Sequence, residues 1–288
     1  MKMTRLLLML IAIIALSGCG LTVQQKKLLT QYSSAASAVG AQSSTEFKTM
    51  QDMVVQANKY NIVINGMETY APLNALQGDL SDTNMYLRIA AAKALQNYGD
   101  LLGQLIGRVE NEKLRKASDN MIKGAEKINA NAISKDVEKG VQAAVMAVGR
   151  FSLEKKKAKA VRKVVLGYKD VIDGLCNALI IDFSADAGGV RQNATAVLEE
   201  TKMSADEILR APKLSISDRD VAMNAESFSS SALYQIRDQG ELIAKQAAKI
   251  RQINNNLVKA FQNGSPNNFA ELKEEVQGLV EITKELTE

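Results

Sequence analysis

The chain contains no histidine and no tryptophan. Without an imidazole, Ser-His-Asp and Cys-His catalysis, HExxH-type zinc sites and His-ligated haem are excluded, and any enzyme would have to use carboxylate, Lys, Tyr or Cys chemistry. Aromatic residues make up 5% of the chain, so a core here is built from aliphatic side chains. Proline occurs three times in 288 residues, at Pro72, Pro212 and Pro266, which leaves long stretches with nothing to interrupt a helix. The two cysteines, Cys19 and Cys176, are the only thiols.

Long apolar runs are also scarce. Leu6 to Leu16 is one; beyond it, the best run is Val171 to Ile181, which contains Asp173 and Asn177 and is flanked by Asp170 and Asp182. That falls short of the ~18 apolar residues of a spanning helix. The charges nearly cancel, with 36 basic against 32 acidic side chains. A total this close to neutral gives no general case for a polyanionic partner, and no nucleic-acid role is expected.

The apolar run at the start has a particular setting. Lys2 and Arg5 precede it, and Leu16-Ser17-Gly18-Cys19 closes it, with small residues directly before a cysteine. This arrangement resembles the lipobox of bacterial lipoproteins, over residues 1–20 alone. The resemblance implies that residues 1–18 are a signal peptide that is removed, and that Cys19 takes a diacylglycerol thioether and an acyl (palmitate) group on its new amino terminus. In such lipoproteins an Asp after the cysteine favours retention in the inner membrane; Gly20 stands there instead, which points to the outer membrane and its periplasmic side. With Cys19 lipidated, Cys176 is the one remaining thiol, so no intramolecular disulfide is possible.

Ala, Leu, Lys, Gln and Glu dominate the rest, a helical composition. Residues 19–43 carry Leu21, Leu28, Tyr32, Ala36 and Val39 at loose helical spacing before Gly40 and a Ser/Thr patch, and are expected to form a lead helix or tether. Ser43 and Glu46 have the spacing of a capping box, predicting a helix over about 44–66. Pro72, Gly78 and Asp79 mark a turn. Ala91, Leu95, Tyr98, Leu102 and Leu105 then keep a heptad stripe in a helix expected over 82–130. A hairpin at Asn129 to Ile133 leads into 134–182, with a kink at Gly149 to Ser152. The pair Gly188-Gly189 predicts a break before 190–211. Ser217 is expected to open 217–262, whose Ile243, Ala247, Ile250, Asn254 and Leu257 again read as heptads, and Asn263-Gly264-Ser265-Pro266 separates it from 266–287.

Three of these spans would be ~70 Å long and three ~30–35 Å at 1.5 Å per residue. Long and short helices of those lengths complement each other end to end. The expected fold is therefore all-α, an elongated antiparallel bundle over residues 44–288.

Few residues stand out chemically. Cys176 lies on the apolar stripe with Ile172, Leu175 and Leu179, where a thiol behaves as a small buried hydrophobe. Gly99, Gly103 and Gly107 form a strip along one helix edge; strips of this kind draw membrane helices together, but the flanking Asp100, Gln104 and Arg108 point to a close contact in a soluble bundle. Asp79, Asp82, Asp182 and Asp186 lack the spacing of a calcium loop and read as caps and turn residues. Asn254, at a core-like position, reads as a register device. Lys155, Lys156, Lys157, Lys159, Arg162 and Lys163 form the densest charge run. They are expected to pair with Glu110, Glu112, Asp206 and Glu207, the other reading being a face that docks on anionic lipid.

No catalytic, cofactor-binding or metal site is expected. The function expected is that of a lipid-anchored envelope lipoprotein, not an enzyme, that acts as a structural or protein-binding helical scaffold, with an envelope protein as partner. Two alternatives come from other classes, a pore-forming helical protein and a carboxylate-dependent cell-wall hydrolase.

Overall fold

The computed structural model describes residues 20–66, 72–107, 111–128, 135–148, 154–263 and 267–285. Residues 1–19 with Cys19, the hairpin at 129–133 and the kink at 149–152 lie outside the described residues. Within them the chain is an all-α helical bundle: α1 (Val23–Ile64), α2 (Leu73–Gln77), α3 (Asp82–Ile106), α4 (Asn111–Ile128), α5 (Lys135–Met146), α6 (Glu154–Gly167), α7 (Lys169–Phe183), α8 (Val190–Leu209), α9 (Ile216–Asn263) and α10 (Asn267–Glu285).

The largest departure from expectation is in α1, which runs unbroken through Gly40 and the Ser/Thr patch. The capping box that starts it is Thr22 with Gln25. The Gln25 amide donates to Thr22 Oγ1 at 3.2 Å and the Thr22 amide to Gln25 Oε1 at 2.9 Å, satisfying two otherwise orphaned donors. Ser43 caps nothing; its hydroxyl bonds back to the Val39 carbonyl at 2.7 Å, as a serine inside a helix can. Leu28, Leu29, Tyr32, Ala36 and Val39 are buried, so residues 23–43 are packed helix and not a free tether. Burying one such Leu is worth ~1.5–3 kcal/mol, enough for a few contacts to outweigh one interior glycine at ~1 kcal/mol.

Around Gly188-Gly189 and at the start of α9 the boundaries fall close to where the residues placed them. Helix α7 ends at Phe183 and α8 resumes at Val190, across the Gly188-Gly189 pair. Gly188 has φ of 73°, and a Cβ on Gly189 would overlap the Ile181 carbonyl, so both need glycine. Helix α9 starts at Ile216, directly after Ser215, rather than at Ser217. Ser215 Oγ accepts from the Asp218 amide at 3.1 Å and bonds Asp218 Oδ2 at 2.7 Å. The expected span 82–130 is instead α3 and α4, and 134–182 is α5, α6 and α7, the last two separated only by Tyr168, through which the i to i−4 bonding continues.

The chain divides into two compact units. The first comprises residues up to Ser37, Ala94–Asp173 and Gln252–Glu281. In it α1 and α3 run antiparallel, with Ser37 Oγ bonded to Asp100 Oδ1 at 2.6 Å. A Cβ on Gly99 would lie 2.5 Å from the Ser33 carbonyl oxygen and 2.5 Å from the Ser37 amide nitrogen. Gly103 has only Ser33 Oγ at 3.4 Å, an ordinary contact. Thus one member of the glycine strip makes the close approach. Asn254 is buried among tyrosines: its Oδ1 accepts from Tyr98 OH at 2.7 Å and Tyr32 OH at 3.3 Å, and the two rings meet edge to face at 6.5 Å.

The second unit comprises Ala38–Lys93, Gly174–Arg251 and residues from Ile282. Phe47 packs on Phe183 with ring centroids 4.6 Å apart. Arg88 Nε pairs with the largely buried Asp182 at 3.0 Å, so Asp182 is an ion-pair partner and not merely a turn residue. Gln51 Nε2 and Gln77 Nε2 both donate to Asp82 Oδ1, at 3.0 and 2.9 Å, fixing the start of α3. Antiparallel α8 and α9 bury Ala205, Ala222 and Ala225 beneath Tyr60, Ile64, Ile208 and Leu209.

Two stability predictions follow from the first unit. Gly99→Ala should lose ~1–3 kcal/mol to overpacking, whereas Gly103→Ala should be neutral or gain up to ~1 kcal/mol from helix propensity; urea unfolding of both variants measures the difference. Asn254→Ala should cost about 1–3 kcal/mol, because two phenol hydroxyls lose their shared buried acceptor, and Asn254→Asp at low pH, which keeps a carbonyl there, should recover part of it.

Candidate functional site

Cys19, the one residue to which the sequence assigns a site, lies outside the described residues, but the chain next to it is held in a defined place. A Cβ on Gly20 would lie 3.4 Å from Glu154 Cβ, at the first residue of α6. Lys26, one turn into α1, pairs with Glu154 at 2.5 Å. Lys157 reaches the same carboxylate at 3.9 Å and donates from Nζ to the Gly107 carbonyl at 2.8 Å. The beginning of α1 and the beginning of α6 are therefore fastened together beside Gly20. The carboxylate responsible is Glu154, which precedes the basic run and was not among the residues singled out in the sequence; its place at the start of a Lys-rich helix, where it also favours the helix dipole, is the one clue.

Among the described residues, none of the acids expected as partners of the basic run forms an ion pair with Lys155, Lys156, Lys159 or Arg162. Glu112 pairs with Lys116 of its own helix at 3.4 Å. Glu110 lies outside the described residues, and Asp206 and Glu207 belong to the second unit. The physical reason is that α3 stops at Ile106, so the straight 82–130 helix that would have carried Glu110 and Glu112 alongside Lys155 does not exist.

Cys176 is fully buried. Full burial shields the thiol from oxidants in solution. Among the described residues no group of three or more His, Cys, Asp and Glu is placed to hold a metal ion.

A cleft of about 480 Å³ opens between α8 and α9 in the second unit, lined by Arg191, Glu199, Lys202, Ser230, Tyr234 and Arg237 among others. Its charges are largely committed. Arg191 donates to the Phe183 carbonyl at 3.0 Å, capping the end of α7. Lys202 pairs with Glu226 at 3.7 Å, and Arg237 pairs with Asp238 at 3.3 Å while its guanidinium sits 5.2 Å above the Tyr234 ring. These contacts stabilise the α8–α9 corner and offer no convergent reactive groups.

Among the described residues, Glu46 is the one strongly perturbed carboxyl. It is 3% exposed and its Oε1 has no hydrogen-bond partner. Burial pushes its pKa up to about 7. A perturbed carboxyl is often a mark of catalysis, but this one lies beside buried Phe47 and Met50 in α1 and does not line the cleft. A general acid needs to reach substrate. Glu46 is thus a desolvated core carboxyl. Tyr168 is a similar case: its buried hydroxyl has no partner, and desolvation, with a smaller contribution from Glu138, raises its pKa.

No family model matches the chain, and no curated protein or solved structure shows significant similarity to it.

The Glu46 arrangement fixes a pH dependence. In the unfolded chain the group titrates near its ordinary value of 4.5, and in the folded protein near 7. Below 4.5 both states hold the proton; between 4.5 and 7 only the folded state does, so its contribution to stability declines as pH rises through this window and is lost above it. Glu46→Gln should remove that slope and leave the protein more stable than the parent at pH above 8. Urea midpoints taken across the acidic-to-alkaline range measure it; identical profiles for parent and variant would show that Glu46 is ionised without penalty.

Proposed function

We propose that this chain is a cell-envelope lipoprotein, anchored through acyl chains on Cys19 to the outer membrane and facing the periplasm, which acts as a non-enzymatic helical scaffold for an envelope protein. The observation that carries the reading is Leu16-Ser17-Gly18-Cys19 at the close of a short apolar run with Lys2 and Arg5 before it. Two further features support it. The helical body starts at Val23, directly after the proposed anchor, and no described helix is long and apolar enough to cross a membrane. Absence of histidine from the whole chain removes most hydrolytic machinery, and the buried position of Glu46 takes away the carboxyl best tuned for acid–base work.

A scaffold presents side chains rather than a reaction centre, and the second unit has large apolar side chains to present. Met203, Met223 and Tyr234 are 65%, 55% and 62% exposed on α8 and α9. Methionines and tyrosine at such positions suit protein contact, since they combine apolar area with adaptable or amphipathic shape.

The test is to express the full chain in a bacterial envelope and weigh the mature protein. Acylation predicts loss of residues 1–18 and a mass increase located on the peptide that begins with Cys19. Cys19→Ala behind an ordinary secretion signal should give a folded protein that leaves the membrane pellet in a high-salt wash. Retention of that variant after the wash, or an unmodified Cys19, would overturn the anchor; crosslinking of the parent in intact cells that yields no envelope protein would overturn the scaffold role.

A further inference from the structure

On α6, Lys155, Lys156, Lys159, Arg162 and Lys163 are exposed, while Ala160, Val161, Val164 and Val165 are buried on the other side. Every fully exposed position from 155 to 163 is therefore basic. At 3.6 residues per turn these five occupy an arc of roughly 120°. The acid at the head of the helix does not offset them, because Glu154 is engaged by Lys26 and Lys157. No ion pair of Lys155, Lys156, Lys159 or Arg162 is present among the described residues.

The same unit concentrates positive charge. From residue 20 onward the first unit holds 20 basic side chains against 14 acidic, a net of +6, and the second holds 14 against 18, a net of −4. Near-neutrality of the whole chain conceals this division.

Position decides what such a face would meet. Gly20 rests on Glu154, so the first turn of α6 stands beside the residue that follows Cys19. With acyl chains on Cys19, that turn is held at the lipid surface, well within the ~8–10 Å over which surface potential acts.

We propose that the Lys155, Lys156, Lys159 and Arg162 face of α6 is a membrane-docking surface that lies on the headgroups of anionic phospholipid beside the anchor. The location rests on the reading of Cys19 as lipidated; the affinity of the face does not. Basic side chains at an anionic surface each add attraction, so several on one face give measurable binding that salt weakens. The lipid holds the protein to the membrane, and the α6 face sets which side of the first unit turns toward it. Nucleic acid would be drawn by the same charge, but nothing brings it to the corner where the anchor enters.

The experiment uses the mature chain with Cys19→Ser, which cannot be acylated, sedimented with vesicles of two parts phosphatidylcholine to one of phosphatidylglycerol, and with phosphatidylcholine alone. Binding is expected to the anionic vesicles at low salt, absent from the neutral ones and lost at high salt. Reversing Lys155, Lys156, Lys159 and Arg162 to Glu should lower the partition coefficient about tenfold or more. Reversing the exposed Lys48, Lys59, Lys93 and Arg219 of the second unit changes net charge equally and should leave most binding intact. The same four α6 residues changed to Gln supply a milder variant, with circular dichroism reporting helicity for each. No binding to anionic vesicles, equal losses from the two reversals, or binding to lipopolysaccharide or DNA but not to phosphatidylglycerol, would each overturn the proposal. Because the assay contains no lipidated protein, an unmodified Cys19 in cells would sink the anchor while leaving these results to stand or fall alone.

Discussion

Where α1 passes α3, the Ser33 carbonyl and the Ser37 amide occupy the space that a Cβ on residue 99 would need. Backbones that approach so closely bring the rest of their side chains into full contact, and this sets the spacing on which the first core is built. Tyr32 and Tyr98 can then both reach the carbonyl of Asn254 from α1 and α3, so that one amide on α9 ties three helices in register. Any slip of one helix along another would bury phenol hydroxyls and an amide without this pairing, at a cost of ~1–3 kcal/mol for each unsatisfied group. Apolar burial supplies the bulk of the stability, and these few polar contacts select one arrangement.

The second unit handles buried polarity differently. Arg88 and Asp182 form a partly buried ion pair and Arg191 caps α7, both answered by a partner. Glu46 Oε1 is not answered, and burial favours the protonated form of the carboxyl, which holds its proton up to a pH of about 7. A neutral carboxyl in a core is far cheaper than a buried charge. The cleft between α8 and α9 shows the opposite economy, with cations, acids and an aromatic ring paired off among themselves at the surface, where each such pair contributes only ~0–1 kcal/mol.

Much of the bundle could be read from residue order. The heptad positions Leu95, Tyr98, Leu102 and Leu105 in one helix and Ile243, Ala247, Ile250 and Leu257 in another are all buried, and Gly188-Gly189 ends a helix where the chain turns sharply. Failure came where two local signals competed. Ser43 with Glu46 and Thr22 with Gln25 both have capping-box spacing; only burial of Leu28, Leu29 and Tyr32 against distant helices decides that the chain is already helical by Gly40. The site near the anchor was less legible still. Cys19 is marked by its neighbours in sequence, whereas the approach of Gly20 to Glu154 joins residues far apart in the chain, and no periodicity announces it. Division of charge between the units is hidden for the same reason, since each unit is assembled from three separate stretches.

The position of Gly20 against Glu154 also bears on reach. Consecutive Cα atoms are about 3.8 Å apart, so a protein folded from the residue after its anchor has no slack chain with which to explore its surroundings. With the proposed lipid in place, it would move as a passenger of the leaflet, meeting partners by lateral diffusion in a plane, and its own helices would be the whole of its span away from the bilayer. Inserting a flexible stretch between Cys19 and Thr22 would convert such a fixed fixture into a tethered one, with a larger volume to search and a lower local concentration at every point within it.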